Sequence, residues 1–312
     1  MPSGKKSTKS WLSSLKALII APLIFLIILG AIFAYSGEWP PMVVIESRSM
    51  QHSDDTSYIG IIDTGDIVIV KNIDSLDEVT TYLDAVPSGY STYGELGDVV
   101  IYYKSGMSKP IIHRAICNLV YNSTGGGFDV PALENVPSWM WSVTGERTWW
   151  NLKGTLELHG IGYRNATLYI QLDTMLEYMS KRPLGVHGGL ITMGDYNVDS
   201  SNGTVVGQYD QKSLGSSIRE PIIADWVLGK ARGELPWFGL LKLYATGTAP
   251  DYTPRNSQTD LVVSIVLIIT VPVALDVANS LLKRRGIDMF GWTKRLSPRR
   301  LWRRPKEKEP PT

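Results

Sequence analysis

The sequence predicts a mainly β, barrel-like domain tethered to a membrane by an apolar helix at each end. Three observations predict it. Between residues 37 and 258, short runs rich in Val, Ile and Tyr recur between Gly-containing turns, the pattern of many short strands that close their own edges. Two apolar stretches, 17–34 and 261–275, flank this region. Charge divides the chain in the same way. The first 36 residues carry four lysines and no acid, the middle carries 16 Lys/Arg against 25 Asp/Glu, and the tail from Lys283 carries 11 Lys/Arg against three acids.

The first apolar stretch has 18 uncharged residues. That is long enough to span and longer than the apolar core of a cleavable signal. No clean small-residue cleavage site follows it. The second stretch contains Pro272, extends past Asp276 to Leu282 and stops at Lys283-Arg284-Arg285. Basic flanks on both spans put both termini on the cytoplasmic side and 37–258 outside. Three N-glycosylation triplets, at Asn122, Asn165 and Asn202, fall in the outer part, and the single Cys117 excludes an intrachain disulfide.

Along the middle region, strands are expected at 42–45, 66–71, 98–103, 110–116, 190–193 and 225–230. A hairpin is expected at 155–159 and 167–172, followed by a short helix over 172–181. Two of the strands follow a Gly-Asp turn, at Gly65-Asp66 and Gly97-Asp98. Residues 72–96 read as loop or lid. Residues 118–187 are poorly patterned and hold four tryptophans, Trp139, Trp141, Trp149 and Trp150, which suit either a local core or the membrane interface.

Four stretches carry the chemistry. Ser47-Arg48-Ser49-Met50 lies just outside the first apolar stretch. Gly97-Asp98-Val99 leads to Lys109-Pro110-Ile111-Ile112-His113-Arg114. Then come Gly194-Asp195-Tyr196-Asn197-Val198-Asp199 and Trp226-Val227-Leu228-Gly229-Lys230-Ala231-Arg232-Gly233. In this order behind an anchor, they resemble type I signal peptidases of the archaeal and endoplasmic-reticulum branch. The resemblance covers about a third of the outer domain.

It implies a β-rich serine endopeptidase that removes signal peptides from exported preproteins at the outer membrane face. Signal-peptide-bearing preproteins, the lipid bilayer and the translocation machinery are the implied partners. The bacterial branch has a lysine base where this chain has His113. Ser49 is the expected nucleophile. His113 is the expected general base, since imidazole can take and return a proton at neutral pH.

Asp195 and Asp199 are the candidates for the carboxylate that orients His113. The family pattern favours Asp199 and leaves Asp195 to support its loop, although Asp199 falls about two residues early and the longer spacing reaches Ser201. Ser47 is carried over as a donor to the oxyanion. Met50 suits either the substrate pocket or the core. His52 stands where the family usually has proline and reads as an exposed loop residue; His159 and His187 read as structural.

The competing readings are a non-catalytic membrane-tethered β-domain that binds partner proteins, and a Ser/Lys peptidase using Lys104 or Lys109. No HExxH, CxxC or Walker-like stretch is present, so no metal, cofactor or nucleic acid is expected. The expected organisation is an anchor at 1–36, a catalytic domain at 37–258 with an insertion at 118–187, a second span at 259–282 and a basic cytoplasmic tail at 283–312.

Overall fold

The structure, a computed structural model, describes residues 6–103, 109–144, 148–200, 202–212 and 219–285. Lys104, Ser201 and most of the basic tail therefore lie outside the described residues. The chain divides into two compact units with the boundary at Gln258 and Thr259.

The first unit opens with helix α1 (Lys6–Ser36), followed by β1 (Met42–Val44), β2 (Ile67–Lys71) and a short α2 (Tyr82–Ala85). Two-residue strands β3 (Ser91–Thr92) and β4 (Glu95–Leu96) precede β5 (Val99–Tyr102) and the long β6 (Ile111–Asn122). Next come β7 (Gly127–Asp129), β8 (Trp141–Val143), β9 (Thr155–Ile161), β10 (Ala166–Gln171) and α3 (Leu172–Ser180). The unit finishes with β11 (Gly189–Asp199), β12 (Val206–Tyr209), β13 (Val227–Leu235) and α4 (Leu240–Thr246); helix α5 (Arg255–Arg284) begins before the boundary.

The protein is mainly β, as expected, but the barrel does not close. One 11-stranded sheet runs β1-β2-β13-β5-β6-β11-β12-β10-β9-β8, with β7 on the far end of β6. Its pairings are antiparallel except β10 with β12. The path leaves β1 and β8 as edges among the described strands. The register shifts by a residue of β6 where it pairs with β11, and in β13 along both of its neighbours.

Residues 118–187 are not an appendage. They contribute the rest of β6, all of β7 to β10, and α3, and thus one end of the main sheet. Within them β9 and β10 alternate, with Leu156 and Leu158, and Ala166, Leu168 and Ile170, turned into the core. Phe128, Leu156, Leu158, Leu168, Ile170 and Leu172 are all fully buried in the largest core cluster. Trp141 and Trp149 pack partly buried against that core, whereas Trp139 and Trp150 are exposed.

Residues 72–96 are also ordered rather than a loose lid. Thr81 and Asp84 form a reciprocal capping box on α2, and Tyr82 and Leu83 join the largest core. A second cluster underlies the loop after β1: Ile45, Met50, Ile62, Val68, Val70 and Ala231.

Ser36, at the end of α1, is tied to the sheet, because its carbonyl accepts from Asn72 N at 2.8 Å. Lys71 Nζ donates to Tyr35 O at the same distance. The segment Pro22–Ser36 is a shorter apolar helix. In α5, 30 residues pass through Pro272 without a break, and the helix is long and apolar enough to cross a membrane.

Candidate active site

Ser49 sits on a loop fastened on two sides. Ile45 N donates to Asp66 O at 2.9 Å and Gly65 N to Ile45 O at 3.0 Å, which closes β1 against the turn before β2. Gln51 N then donates to Arg48 O at 3.0 Å, turning the chain. Gln51 is buried and its side-chain oxygen accepts from Thr64 N at 3.2 Å. On the other side, Tyr196 N of β11 donates to Ser49 O at 2.9 Å. The half-buried Ser49 hydroxyl lies 3.1 Å from the exposed Ser47 hydroxyl. Met50, one residue on, is 1 % exposed and belongs to the core under the loop rather than to the cavity wall.

His113 is delivered by register. Arg114 pairs with Met193 across β6 and β11, so His113 faces Gly194. A Cβ on Gly194 would lie 2.5 Å from Ser49 O and 2.9 Å from His113 Nε2. Only a residue without a side chain lets these two groups share that space. The other ring nitrogen, Nδ1, lies 2.7 and 2.8 Å from the two carboxylate oxygens of Asp210. Asp210 is therefore the carboxylate on His113, a residue the sequence reading passed over. Asp199, the favoured candidate, ends β11 in an exposed position opposite Val206. It lies six residues beyond Met193, roughly 15–20 Å along the strand.

The Asp210 position follows from the same register. Tyr209 pairs with Met193 across β11 and β12, so the next residue falls beside Thr192. Thr192 Oγ1 and Tyr102 OH each donate to Asp210 Oδ2 at 2.6 Å. Gln211 completes the network by accepting from Thr192 N at 3.3 Å. Burial and the Asp210 charge push the Tyr102 phenol well above its ordinary range, so it stays protonated and donates. With Asp210 on Nδ1, the imidazole proton is held there and Nε2 presents its lone pair.

Asp195 has a different setting. Arg114 grips it through both carboxylate oxygens, Nε to Oδ1 at 2.8 Å and an Nη to Oδ2 at 2.6 Å. Burial alone would raise this carboxyl, but the Arg114 charge and hydrogen bonds outweigh it and hold Asp195 below the usual range. Arg114 is itself 1 % exposed and also donates to Thr92 O and Gly97 O, so it shapes the β3–β4 turn. His52 is not an exposed loop residue. Its Nε2 lies 3.1 Å from Asp195 Oδ2, and its ring stacks on Tyr163 at 4.2 Å. His187 Nδ1 is engaged by Gly188 O, and His159 lies 3.9 Å from Glu157.

Ser47, Ser49 and His113 line one cavity of about 630 Å³. Its remaining wall is largely apolar and includes Val43, Ile45 and Ile112. At its mouth Lys109 and Lys242 both pair with Glu46, which their hydrogen bonds and charges hold below its ordinary range. Lys109 is thus committed to a carboxylate. Among the described residues no cluster of His, Cys, Asp and Glu is arranged to hold a metal.

Asp210 thus orients the His113 ring, and Ser49 lines the same cavity with its hydroxyl hydrogen-bonded to that of Ser47. The signal that could have located Asp210 is the Val205-Val206-Gly207-Gln208-Tyr209 run, a strand that must return antiparallel beside β11. No family model matches this chain, and no curated protein does.

Proposed function

We propose that this protein is a membrane-tethered serine endopeptidase of the Ser/His type that cleaves signal peptides from exported preproteins. One observation carries the reading. His113 is held on its far side by Asp210 and shares with Ser49 a largely apolar cavity next to β1, an edge strand among the described residues.

Ser49 Oγ attacks the scissile carbonyl carbon, and His113 Nε2 takes the hydroxyl proton. Asp210 stabilises the imidazolium without taking the proton itself. The carbonyl oxygen gains the negative charge, and Ser49 N–H and the Ser47 hydroxyl meet it. Collapse breaks the C–N bond as His113 returns the proton to the leaving amine. Water then repeats the sequence on the acyl-serine ester. An extended substrate pairs with the β1 edge, and its small apolar side chain enters the cavity beside Val43 and Ile112.

The apolar helix α5 and the apolar segment of α1 support a membrane location. In this reading both termini are cytoplasmic and the β-rich unit faces outward, where preproteins emerge from the translocation machinery. In a Cys117→Ser background, a cysteine at the exposed Ser91 should react with an impermeant thiol reagent on intact cells. Protection at Ser91 would reverse the topology.

The decisive experiment is cleavage of a purified preprotein by the wild type and Ser49→Ala in detergent. Ser49→Ala should lose on the order of 10⁴–10⁶ in rate. No cleavage by the wild type would favour a partner-binding β-domain, and turnover by Ser49→Ala would remove Ser49 from the mechanism.

A further inference from the structure

A second opening meets the apolar cavity at the nucleophile. It is a groove of about 440 Å³ that shares Ser47, Ser49 and Asn197 with the cavity and continues along Arg48, Tyr196 and Tyr252. The chemistry changes at Ser49. One side is walled by Val43, Ile45 and Ile112, and the other by an arginine and two tyrosines.

These side chains form a ladder. The Arg48 guanidinium lies over Tyr196 at 4.8 Å and over Tyr252 at 5.5 Å. Arg164 lies over the Tyr196 ring at 4.6 Å and over Tyr163 at 5.4 Å. Tyr196 is thus bracketed by two cations while its own N–H holds Ser49 O. Arg164 Nε is engaged, donating to Tyr163 OH at 2.9 Å, so Arg48, which faces Asp54 only loosely at 3.6 Å, is the guanidinium placed to recognise a planar anion. The acid in this ladder is Asp54. It accepts from Tyr196 OH at 2.7 Å and faces Arg48 at 3.6 Å, with both charged side chains about half exposed. A pair at that distance and exposure is weak, and two arginines against one aspartate leave a net positive charge beside the nucleophile.

We propose that this groove is a subsite for the residues that follow the cleaved bond, and that it selects an acidic side chain among the first three of them. This rests on the signal-peptidase reading, because the apolar cavity then holds the residue before the cut and the groove lies on the leaving side of Ser49. An incoming carboxylate takes the Arg48 N–H edge in a two-point contact and displaces Asp54, while Arg164 adds charge from the far face of Tyr196. A lipid phosphate is the less favoured ligand, because the ladder is tied to the backbone of the nucleophile itself.

The test uses the full chain in neutral detergent. Preproteins differ only in carrying Asp, Ala or Lys at each of the first three positions after the cut. In the wild type, kcat/KM should rank Asp over Ala over Lys at one of these positions, with Asp over Lys roughly five- to tenfold. Arg48→Met should abolish that ranking and Arg164→Met should reduce it. The ratio is read within each variant, so a general loss of activity cancels.

If Arg48→Met cleaves too slowly to measure, binding of the same peptides to Ser49→Ala, with and without Arg48→Met, reads the ranking without turnover. No cleavage by the wild type would sink the peptidase reading itself. Equal cleavage of all three substrates would sink the subsite and leave that reading intact. A ranking that survives both arginine changes would overturn the assignment to this groove. Equal cleavage together with Arg48-dependent binding to phosphatidylglycerol vesicles would give the groove to lipid headgroups instead.

Discussion

Two histidine–aspartate pairs flank Ser49, and they differ in geometry and in the partners of their carboxylates. His113 meets Asp210 through Nδ1 and leaves Nε2 toward the space above Gly194. His52 meets Asp195 through Nε2, stacks on Tyr163, and turns its other edge toward Gly94, where an added Cβ would lie 3.4 Å from Nδ1. The carboxylates differ as well. Asp210 is surrounded by hydroxyl donors, whereas Asp195 is locked by a buried guanidinium. A carboxylate already paired with Arg114 has little charge left with which to stabilise an imidazolium. The bond chemistry is alike in the two pairs; in the proposed mechanism the free nitrogen's direction and the carboxylate's other partner set them apart.

The strongest way to break this comparison is to exchange the histidines' fates. His113→Ala should lose on the order of 10⁴-fold or more in preprotein cleavage with the fold intact. His52→Ala should keep cleavage within about tenfold but lower the melting temperature, since Asp195 and Tyr163 each lose a partner. Rate assays beside thermal melts separate the two. A dead but well-folded His52→Ala would make His52 the base.

The aspartates sharpen it further. Asp210→Asn should cost about 10²–10⁴ in kcat with little change in melting temperature, because the wrong imidazole tautomer then faces Ser49. Asp195→Asn should chiefly destabilise, by about 3–5 kcal/mol in denaturant unfolding, because Arg114 stays buried without its counter-charge. Asp199→Asn should leave kcat within about threefold, as expected of an exposed strand end. A large kcat loss in Asp199→Asn with normal kcat in Asp210→Asn would return the orienting role to Asp199.

The sequence showed His113 without Asp210, and both His52 and Asp195 without their pairing. His113 lay on a readable strand, and Ser49 beside an apolar segment. Asp210 was illegible because it lies 11 residues beyond Asp199, on the far side of a hairpin. Its place is set by the Met193–Tyr209 register, which the bulge between Met193 and Val198 shifts. A one-residue slip in that register would turn every side chain over. The hairpin and helix of the insertion were legible in the alternation of Leu156 and Leu158 and of Leu168 and Ile170; their joining of the main sheet through β12 was not, because that pairing is set by distant residues. The closed barrel was inferred from strand count, and count alone does not fix whether β1 finds β8.

The hydroxyls on Asp210 should matter less than the carboxylate. Tyr102→Phe and Thr192→Val each remove one donor from Asp210 Oδ2 and should lower kcat about three- to thirtyfold. Thr192→Ser should restore the rate. Loss of stability with an unchanged kcat would leave these two residues a packing role only.

The smallest effect concerns the carboxylates beneath the Ser49 loop, which lack the Arg114 that Asp195 has. Asp66 N donates to Asp63 O, while Asp63 N donates to Asp66 Oδ2 at 2.7 Å, so the two side chains are held close in one turn. Burial raises the Asp63 carboxyl to about 6 and the Asp66 carboxyl to about 7; the neighbouring Glu234 is raised as well. In the unfolded chain an aspartate titrates near ~3.9. Between that value and the folded one, the folded protein holds protons that the unfolded chain has released. The contribution is therefore fully present below about pH 4 and is lost as pH rises through 6 and 7. Asp195 works in the opposite sense: its depressed carboxyl contributes above about pH 4 and loses that contribution only in stronger acid. The melting temperature should accordingly fall by a few degrees, on the order of 2–6 °C, between pH 5 and 7.5. Asp63→Asn should flatten that slope, because an amide cannot ionise yet keeps the oxygen that accepts from Tyr58 N at 3.0 Å, and it puts its NH₂ at Oδ1, a buried atom with no hydrogen-bond partner among the described residues. A melting temperature that rises across this range, or a slope unchanged in Asp63→Asn, would mean that these carboxylates are ionised in the fold and that burial beneath the loop is offset by a partner other than Arg114.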